Sequence, residues 1–373
     1  MQSADVIVVG GGIFGSAVGY GLRREGLNVV ILDEGDTVLR AARGNFGLVW
    51  TQSKGVGVHR YHEWSCESAA LFPDFAADLL EYSEIDVAYR GGGGVELLLG
   101  DEELEGRKQF IANMQKQAAG SPFDCEIIDR KELQKFAPDL TLGDELVGAS
   151  FSPHDGDVNP LLLLRALHTA FDRRGGRYLT NHRVESIDHH GSGFTVHTAQ
   201  GDITAAKIVL AAGHGAPRLG PMVGLNVPIR PQRGQVLITE RARPLLPIPM
   251  GSIRQTNEGT VQLGNSKEEV DYDDGTTLDV TRAIASRAVR CFPQLAGLRL
   301  VRTWGCIRVL TPDMAAIYDE STSCPGAYVV TSHSGVTLAA INAAHVARWI
   351  AHGEMQPGFE KFSAQRFDVQ AAA

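Results

Sequence analysis

The chain alternates apolar runs of strand type with segments of helical spacing, and the first alternation is the clearest. Asp5–Val9 is an apolar, β-branched run, and Ile13–Arg24 follows with helix-like spacing. A second apolar run, Leu27–Leu32, ends on Asp33 and Glu34. The pattern predicts a strand, a helix and a second strand in succession, which is typical of an α/β nucleotide-binding unit.

A glycine-rich turn separates the first strand from the helix. Gly10, Gly12 and Gly15 form the pattern G-x-G-x-x-G. The first glycine permits a tight turn, the second lets the backbone approach a pyrophosphate, and the third lets helix and strand pack closely. Free N–H groups at the helix N-terminus attract phosphate. An acid after the second strand can accept hydrogen bonds from ribose hydroxyls, and it disfavours the 2′-phosphate of NADP. The candidate dinucleotide contacts are Gly10, Gly12, Ile13, Phe14, Gly15, Asp33 and Glu34.

The segments after this unit favour FAD over NAD. An NAD-binding domain would usually continue at once with further strand–helix units, whereas here a long loop of small residues and amides follows at Arg40–Gly55. Two segments that look like parts of the same nucleotide domain come much later, at Ile203–Gly213 and Ala327–Ile350. A nucleotide domain to which the chain returns, with a second domain interleaved, is typical of flavoproteins.

This order predicts an α/β fold with two interleaved domains. The expected Rossmann-like FAD-binding domain comprises residues 1–85, 145–220 and 325–373. The expected α+β substrate domain, built on a mixed antiparallel sheet, comprises residues 86–144 and 221–324. The length of 373 residues, with 43% apolar content, suggests two domains rather than one.

Composition narrows the choice of partners and compartment. The net charge of −9 argues against nucleic acid, because phosphate binding needs a basic surface. No apolar run reaches membrane-spanning length, and no positive charge precedes the first apolar run, as it would in a signal peptide. The five cysteines are widely spaced and form no metal-ligand pattern. We therefore expect a cytoplasmic protein without a metal site or a transmembrane segment.

Four further motifs follow in order along the chain. They are the D-G-x-x-x-P segment within Phe151–Leu167, the R-G-Q strand at Pro231–Ile238, the tryptophan- and arginine-bearing segment Trp304–Ile317, and the closing segment Phe359–Phe367. Together with the glycine turn, they make the chain resemble the D-amino-acid oxidase family of FAD-dependent enzymes, which includes glycine and sarcosine oxidases, over essentially its whole length. The stretch R-G-N-F-G-L-V-W at 43–50 resembles more narrowly the FAD-bearing β subunits of D-hydroxyproline dehydrogenase, opine oxidase and hydrogen cyanide synthase.

The resemblance implies an enzyme that oxidises the C–N bond of a small amino acid or N-substituted amino acid by hydride transfer to flavin N5. The narrower resemblance implies the catalytic β subunit of a multi-subunit dehydrogenase, from which electrons leave through a partner subunit. D-hydroxyproline, proline, opines, glycine and sarcosine all remain open as substrates, and so does a second flavin, FMN, at a subunit interface. The alternatives are a stand-alone amino-acid oxidase that makes hydrogen peroxide and a flavin-carrying electron-transfer subunit without substrate chemistry of its own.

Four side chains are candidates for catalysis. Arg308 lies in an apolar strand, where the resemblance places the arginine that grips a substrate carboxylate. His333 lies in a turn that the family directs at the flavin, or it is simply solvated, and Lys54 lies near the ring or on an exposed loop. Gln262 lies where sarcosine oxidases carry a lysine that assists the reaction with oxygen, so a neutral amide favours a dehydrogenase. Cys306 lies where those oxidases attach flavin covalently, although a buried unreactive cysteine is the preferred interpretation.

The remaining candidate cofactor contacts are implied by the resemblance and lie in four segments. The last of these segments, Ser332–Leu338, is expected to start the final long helix and to direct its positive end at the flavin pyrimidine. The contacts are Arg43, Gly44, Asn45, Phe46, Gly47 and Leu48 in the loop; Val184 beside adenine; Ala211, Ala212 and Gly213 beneath the cofactor; and Ser334, Gly335, Val336 and Thr337 in the turn, together with Arg308.

Overall fold

The computed structural model describes residues 2–35, 41–118, 123–264 and 266–372. Residue 40, with which the predicted loop begins, and residues 1 and 373, the ends of the predicted FAD-binding domain, lie outside the described residues. The strands are β1 (Gln2–Val9), β2 (Val29–Leu32), β3 (Leu48–Val49), β4 (Gly94–Leu99), β5 (Glu126–Asp129), β6 (Leu146–Ser152), β7 (Gly156–Asp157), β8 (Arg177–Leu179), β9 (Val184–His189), β10 (Phe194–Thr198), β11 (Gly201–Leu210), β12 (Arg230–Arg241), β13 (Ile253–Gln255), β14 (Thr260–Leu263), β15 (Leu300–Leu310), β16 (Ile317–Glu320) and β17 (Ala327–Thr331). The helices are α1 (Ile13–Arg24), α2 (His59–Ser83), α3 (Gly100–Gln117), α4 (Arg130–Phe136), α5 (Pro160–Arg173), α6 (Ala216–Leu219), α7 (Leu278–Cys291), α8 (Ala339–Ile341) and α9 (Ala347–His352).

The largest sheet joins the three parts of the chain that the sequence motifs connect. Its strand order is β16-β17-β11-β1-β2-β8, with β10 and β9 added beside β11. Strand β1 pairs in parallel with both β2 and β11, and β11 pairs in parallel with β17. The predicted α/β fold with a Rossmann-like sheet is confirmed. The exact domain boundaries stay a prediction.

Burial explains why β1 and β2 read as continuous apolar runs. Val6, Ile7, Val8 and all of β2 are buried, because helices and further segments cover both faces of the parallel sheet. Helix α1 packs closely against the C-terminal helical segment: a Cβ atom added to Gly21 would lie 2.5 Å from the Cβ of Ala347. Small residues in α1 therefore set the spacing between this helix and the segment that carries the C-terminal turn.

A second sheet, with the order β13-β14-β12-β15, is antiparallel throughout its described pairs. One face of it joins an apolar core with the three-stranded sheet β4-β6-β5, through residues such as Leu237, Ile253 and Leu263. Because side chains alternate along a strand, the opposite face carries Arg254, Gln262 and their neighbours. That face carries the candidate catalytic residues of β14 and β15.

Helix α5 begins where the D-G-x-x-x-P motif predicts a helix. Asn159 caps it, with its Oδ1 accepting from the N–H groups of Leu161 at 3.1 Å and Leu162 at 3.2 Å, and Pro160 occupies the first helical position. The final helix differs from expectation, because it begins at Ala339 rather than within Ser332–Leu338. A π-helical segment, Asn342–Val346, joins α8 to α9. Among the described helices, none has the length and apolar character needed to cross a bilayer.

Candidate active site

Only glycine fits at two of the three motif positions of the turn, at one because of its backbone conformation and at the other because of close packing. Gly10 has a φ of +106°, in the left-handed region. A Cβ atom added to Gly15 would overlap the carbonyl oxygen of Gly10. At Gly12 the situation differs, because an added Cβ would meet nothing closer than the Cβ of Ala42 at 3.8 Å. The space above Gly12 is therefore open to a ligand that approaches the backbone.

Asp33 connects the end of β2 to the glycine turn. Its side chain is 4% exposed, and its Oδ2 accepts from the Gly11 N–H at 2.8 Å while its Oδ1 accepts from the Gly35 N–H at 3.0 Å. Glu34 is exposed at the rim, 3.9 Å from the guanidinium of Arg183. The carboxylate of Asp33 thus braces the turn, a role that the sequence pattern did not indicate.

A cleft of about 230 Å³ runs along the carboxyl-terminal ends of the parallel strands β1, β2, β11 and β17. Many of the predicted cofactor contacts line it: Gly10, Gly12, Ile13, Phe14, Asp33, Glu34, Asn45, Val184, Ala211, Ala212, Gly213 and Gly335, with His333. The lining also includes residues that the sequence analysis missed, among them Ala41, Ala42, His182, His214, Arg218 and Thr331. Of these, Arg218 has a defined contact, since its Nη2 donates to the Val184 carbonyl oxygen at 2.6 Å. Ala41, Ala42 and Thr331 lie in segments that the sequence had already pointed to, whereas His182, His214 and Arg218 lie outside every such segment.

The predicted loop contacts lie mostly between the cleft and the second sheet. Trp304 Nε1 donates to the Gly44 carbonyl oxygen at 3.2 Å, and a Cβ atom added to Gly44 would lie 2.5 Å from Cys306 Sγ. Asn45 lines the cleft, and its Oδ1 accepts from the Gly47 N–H at 2.7 Å. Arg43 is exposed. The loop therefore forms a wall between the cleft, which Asn45 lines, and β15, against which Gly44 packs.

Cys306, at this wall, is buried, and its burial raises the pKa of the thiol to about 11. A thiol with this pKa is protonated at neutral pH and is a poor nucleophile.

The 332–337 turn is held against the 48–50 segment by side-chain hydrogen bonds. Thr337 Oγ1 accepts from the Trp50 N–H at 3.1 Å and donates to the Leu48 carbonyl oxygen at 3.3 Å. Tyr61 donates to Ser334 Oγ at 2.8 Å, and Val336 is buried in the core. Thr337 and Val336 therefore fix the turn, whereas Gly335 and His333 line the cleft.

Lys54 and His333 lie together at the end of this turn. Lys54 Nζ donates to Ser334 Oγ at 2.6 Å and lies 3.2 Å from His333 Nε2. An ammonium group only donates, so Nε2 must accept and the proton of the neutral ring must lie on Nδ1. That Nδ1 is buried and has no hydrogen-bond partner in the part of the chain that the structure describes. A bound cofactor or substrate oxygen could satisfy this donor.

Arg308 reaches the same region from β15. Its guanidinium lies on Gly234, where an added Cβ would overlap Nη2. Its neutral acceptors include Ser266 O at 2.8 Å, Arg233 O at 3.1 Å and Gln232 Oε1 at 3.3 Å. The glycine of the R-G-Q motif is thus required because an arginine side chain from the neighbouring strand lies over it.

The charges in this region are predominantly positive. Burial, then the charges of Lys54, Arg308 and Lys267, hold the pKa of His333 well below its usual value of 6.5. Burial lowers the pKa of Lys54 to about 8, and Asp155 opposes this shift. Asp155 itself is buried and has a pKa raised to about 6 by desolvation. At neutral pH the histidine is therefore neutral and lies among cations, an arrangement that suits an anionic ligand.

Gln262, the remaining catalytic candidate, contacts a buried cation that the sequence analysis missed. Arg254 Nε donates to Gln262 Oε1 at 2.6 Å, and Arg254 Nη1 donates to Asp157 Oδ2 at 3.0 Å. Arg90 donates to the same carboxylate through Nε and Nη2, at 2.9 and 2.6 Å. No motif could have identified this group, because three separate segments supply its members.

Comparisons with known proteins identify the family to which the chain belongs. The family model described as FAD dependent oxidoreductase matches residues 5–349. The chain is 40% identical to an opine oxidase subunit from Agrobacterium tumefaciens (strain Ach5) and 38% identical to the corresponding opine oxidase subunit from Rhizobium meliloti, over 372 residues and 100% of both chains in each case. The crystal structure of glycine oxidase from Geobacillus kaustophilus superposes with a TM-score of 0.88 at 25% identity, covering 98% of this chain and 99% of the other.

Proposed function

The chain belongs to the family of FAD-dependent oxidoreductases, and from this premise we propose that it oxidises the C–N bond of an opine-type N-substituted amino acid as the catalytic β subunit of a multi-subunit dehydrogenase. Enzymes of this family act on amino acids and related amines with FAD as the cofactor. The observation that carries the substrate class is that two cations act on one neutral histidine: Lys54, whose Nζ lies 3.2 Å from His333 Nε2, and the buried guanidinium of Arg308 on β15. An opine bears a carboxylate on each side of its secondary amine, whereas glycine and sarcosine bear one.

The residues present fit FAD. Gly10 and Gly15 leave no room for a side chain, Gly12 is open above its backbone, and Asp33 lies at the end of β2 beside the cleft. The Nδ1 atom of His333, for which the described residues offer no acceptor, suits an oxygen of a bound group. When bound, FAD supplies the hydride acceptor, its N5 atom.

Arg308 is proposed to hold the first carboxylate of the substrate. Its Nη1 donates to Arg233 O at 3.1 Å and to Gln232 Oε1 at 3.3 Å, and both of these acceptors are neutral. A carboxylate would form shorter, charge-assisted bonds with the same fork. Two such bonds fix the orientation of the substrate carbon as well as its charge.

Lys54 is proposed to hold the second carboxylate. Its ammonium group is already fixed by Ser334 and His333, so little further ordering is needed when the substrate binds. The same cations favour the unprotonated form of the substrate amine, because a positive charge nearby lowers the pKa of an ammonium group. Hydride transfer requires that neutral amine, so the site needs no general base to reach it.

A stand-alone oxidase is the second candidate, because a specific observation favours it. The neutral Gln262 favoured a dehydrogenase, yet a buried guanidinium lies 2.6 Å from its Oε1. A cation close to the flavin could assist the reaction with oxygen. Assaying the purified chain alone for substrate-dependent hydrogen peroxide separates the two: turnover below about 1% of that with an artificial electron acceptor supports the subunit role, and equal turnover contradicts it.

The substrate class is tested by anaerobic reduction of the bound flavin. Iminodiacetate and sarcosine form a matched pair, since they differ by one carboxylate on the nitrogen substituent. We expect iminodiacetate and an N-(1-carboxyethyl) amino acid to bleach the flavin absorbance at least tenfold faster than sarcosine, glycine or proline at equal concentration. Faster bleaching by any monocarboxylate would contradict the opine-type proposal while leaving the family assignment intact.

A further inference from the structure

A buried triad of charges lies behind the loop that forms the cleft wall. Arg254 is 3% exposed and Asp157 is 1% exposed, and the half-buried Arg90 completes the group with two hydrogen bonds to the Asp157 carboxylate. Two guanidinium groups share one carboxylate, so the triad carries a net charge of about +1 at neutral pH. A further acid that acts on Arg254, Glu258, is exposed to solvent, which screens its charge.

Arg254 reaches the cofactor wall directly. A Cβ atom added to Gly47 would lie 2.8 Å from Arg254 Nη2, and the guanidinium carbon lies 5.9 Å from the centre of the Phe46 ring. Gly47 in turn donates to Asn45, which lines the cleft. The positive charge therefore lies behind the loop segment 45–47, whose first residue, Asn45, lines the cleft. Because a buried charge is only weakly screened, it acts on a ligand bound on the other side of this loop.

Arg254 also determines how the amide of Gln262 is oriented. A guanidinium nitrogen can only donate, so the atom of Gln262 at 2.6 Å must be the carbonyl oxygen. The NH2 group of the same amide then points away from Arg254. Gln262 is 8% exposed, and no acceptor among the described residues bonds to this NH2 group. Gln262 lies on the face of the second sheet that the 44–47 loop covers, as Cys306 does.

We propose that Arg254 is a positioning residue of the flavin site: it orients the Gln262 amide so that its NH2 group is available to the flavin, and it adds a net positive charge behind the cofactor wall that favours flavin reduction. Reduction adds negative charge to the flavin, and both a fixed donor and a buried cation stabilise that charge. This inference concerns the electron affinity of the cofactor and does not depend on which amino acid is oxidised.

The test is the midpoint potential of the bound flavin, measured anaerobically against reference dyes. Arg254→Met should decrease the equilibrium constant for two-electron reduction at least tenfold, which corresponds to about 30 mV. Asp157 stays paired with Arg90 in this variant, so the fold does not acquire an unpaired buried carboxylate. Arg254→Lys should recover part of the loss, because it restores the charge without the planar fork.

Two further variants separate orientation from charge. Gln262→Leu keeps the triad and removes the NH2 donor, so it should decrease the equilibrium constant for two-electron reduction about threefold. Arg90→Met removes one positive charge, as Arg254→Met does. Because Arg90 is 27% exposed and does not contact Gln262, the equilibrium constant for reduction should change by less than twofold in this variant. A holoprotein Arg254→Met with an unchanged potential would overturn the proposal, and so would equal shifts in Arg90→Met and Arg254→Met. If Arg254→Met is purified without flavin, an unchanged potential in Gln262→Leu overturns it.

Discussion

The glycine turn and the basic face of the second sheet contribute to the same site by different physical means. The turn acts through backbone: Gly10, Gly12 and Gly15 matter because they lack a side chain, and the constraint lies within a few residues of sequence. The sheet face acts through long charged side chains, Arg254 and Arg308, that meet partners from distant segments, such as Asp157 and Ser266. The first region is therefore readable as a motif, whereas the second depends on strand register and is sensitive to single side-chain changes.

The largest effect is expected at Arg308. Arg308→Ala removes both donors proposed to hold a substrate carboxylate, and it should lower kcat/KM about 1000-fold, or about 4 kcal/mol, with FAD content unchanged. Steady-state kinetics with an artificial acceptor measure this change. Activity of the reconstituted complex with unaltered apparent substrate affinity would show that the anchor lies elsewhere, as expected of a flavin-carrying subunit without its own substrate chemistry.

The glycine turn offers a matched pair that separates folding from cofactor binding. Gly15→Ala forces a Cβ onto the Gly10 carbonyl oxygen and should destabilise the apoprotein by about 3 kcal/mol. Gly12→Ala places a Cβ in open space, so the apoprotein should keep its stability while its affinity for FAD falls. Denaturant unfolding of both apoproteins and FAD titration measure these effects. Equal loss of apoprotein stability in the two variants would contradict the distinction.

Lys54 should make the apoprotein more stable as the pH rises through the alkaline range. Its pKa is lowered from 10.5 to about 8 in the folded state, so the unfolded chain binds more protons between those values. Stability should therefore rise with pH from about 8 to 10.5, and the cost of burying the ammonium is fully present below pH 8. In Lys54→Met this rise should be absent. A difference between the two unfolding profiles that is constant over this range would refute the lowered pKa.

The smallest effect is expected at Cys306. The thiol is buried against Gly44 with a pKa raised to about 11, so we expect the flavin to be held without a covalent bond. Acid precipitation should release FAD into the supernatant, and Cys306→Ala should change kcat/KM by less than twofold. Flavin that stays with the precipitated protein, and is released from Cys306→Ala, would show a thioether instead.

The sequence predicted the parallel pairing of β1, β2, β11 and β17 because each of these strands contains a continuous apolar run. It predicted the turn because glycine spacing indicates positions where a side chain does not fit. It could not predict the Arg254 triad, since Arg90, Asp157 and Arg254 come from three separate segments of the chain. Asp157 lies inside the D-G-x-x-x-P motif, yet nothing in that motif indicates two arginine partners. The start of the last helix was placed too early, because Thr337 and Ser334 bond to other segments instead of capping it.

The central claim is that Arg308 and Lys54 each hold one of two substrate carboxylates. The most direct test compares anaerobic flavin reduction by iminodiacetate and by sarcosine in the wild-type protein and in Lys54→Met. We predict that the rate ratio between the two substrates, at least tenfold in the wild type, falls to about one in the variant, with the sarcosine rate nearly unchanged. A ratio that Lys54→Met leaves as it was would contradict the claim.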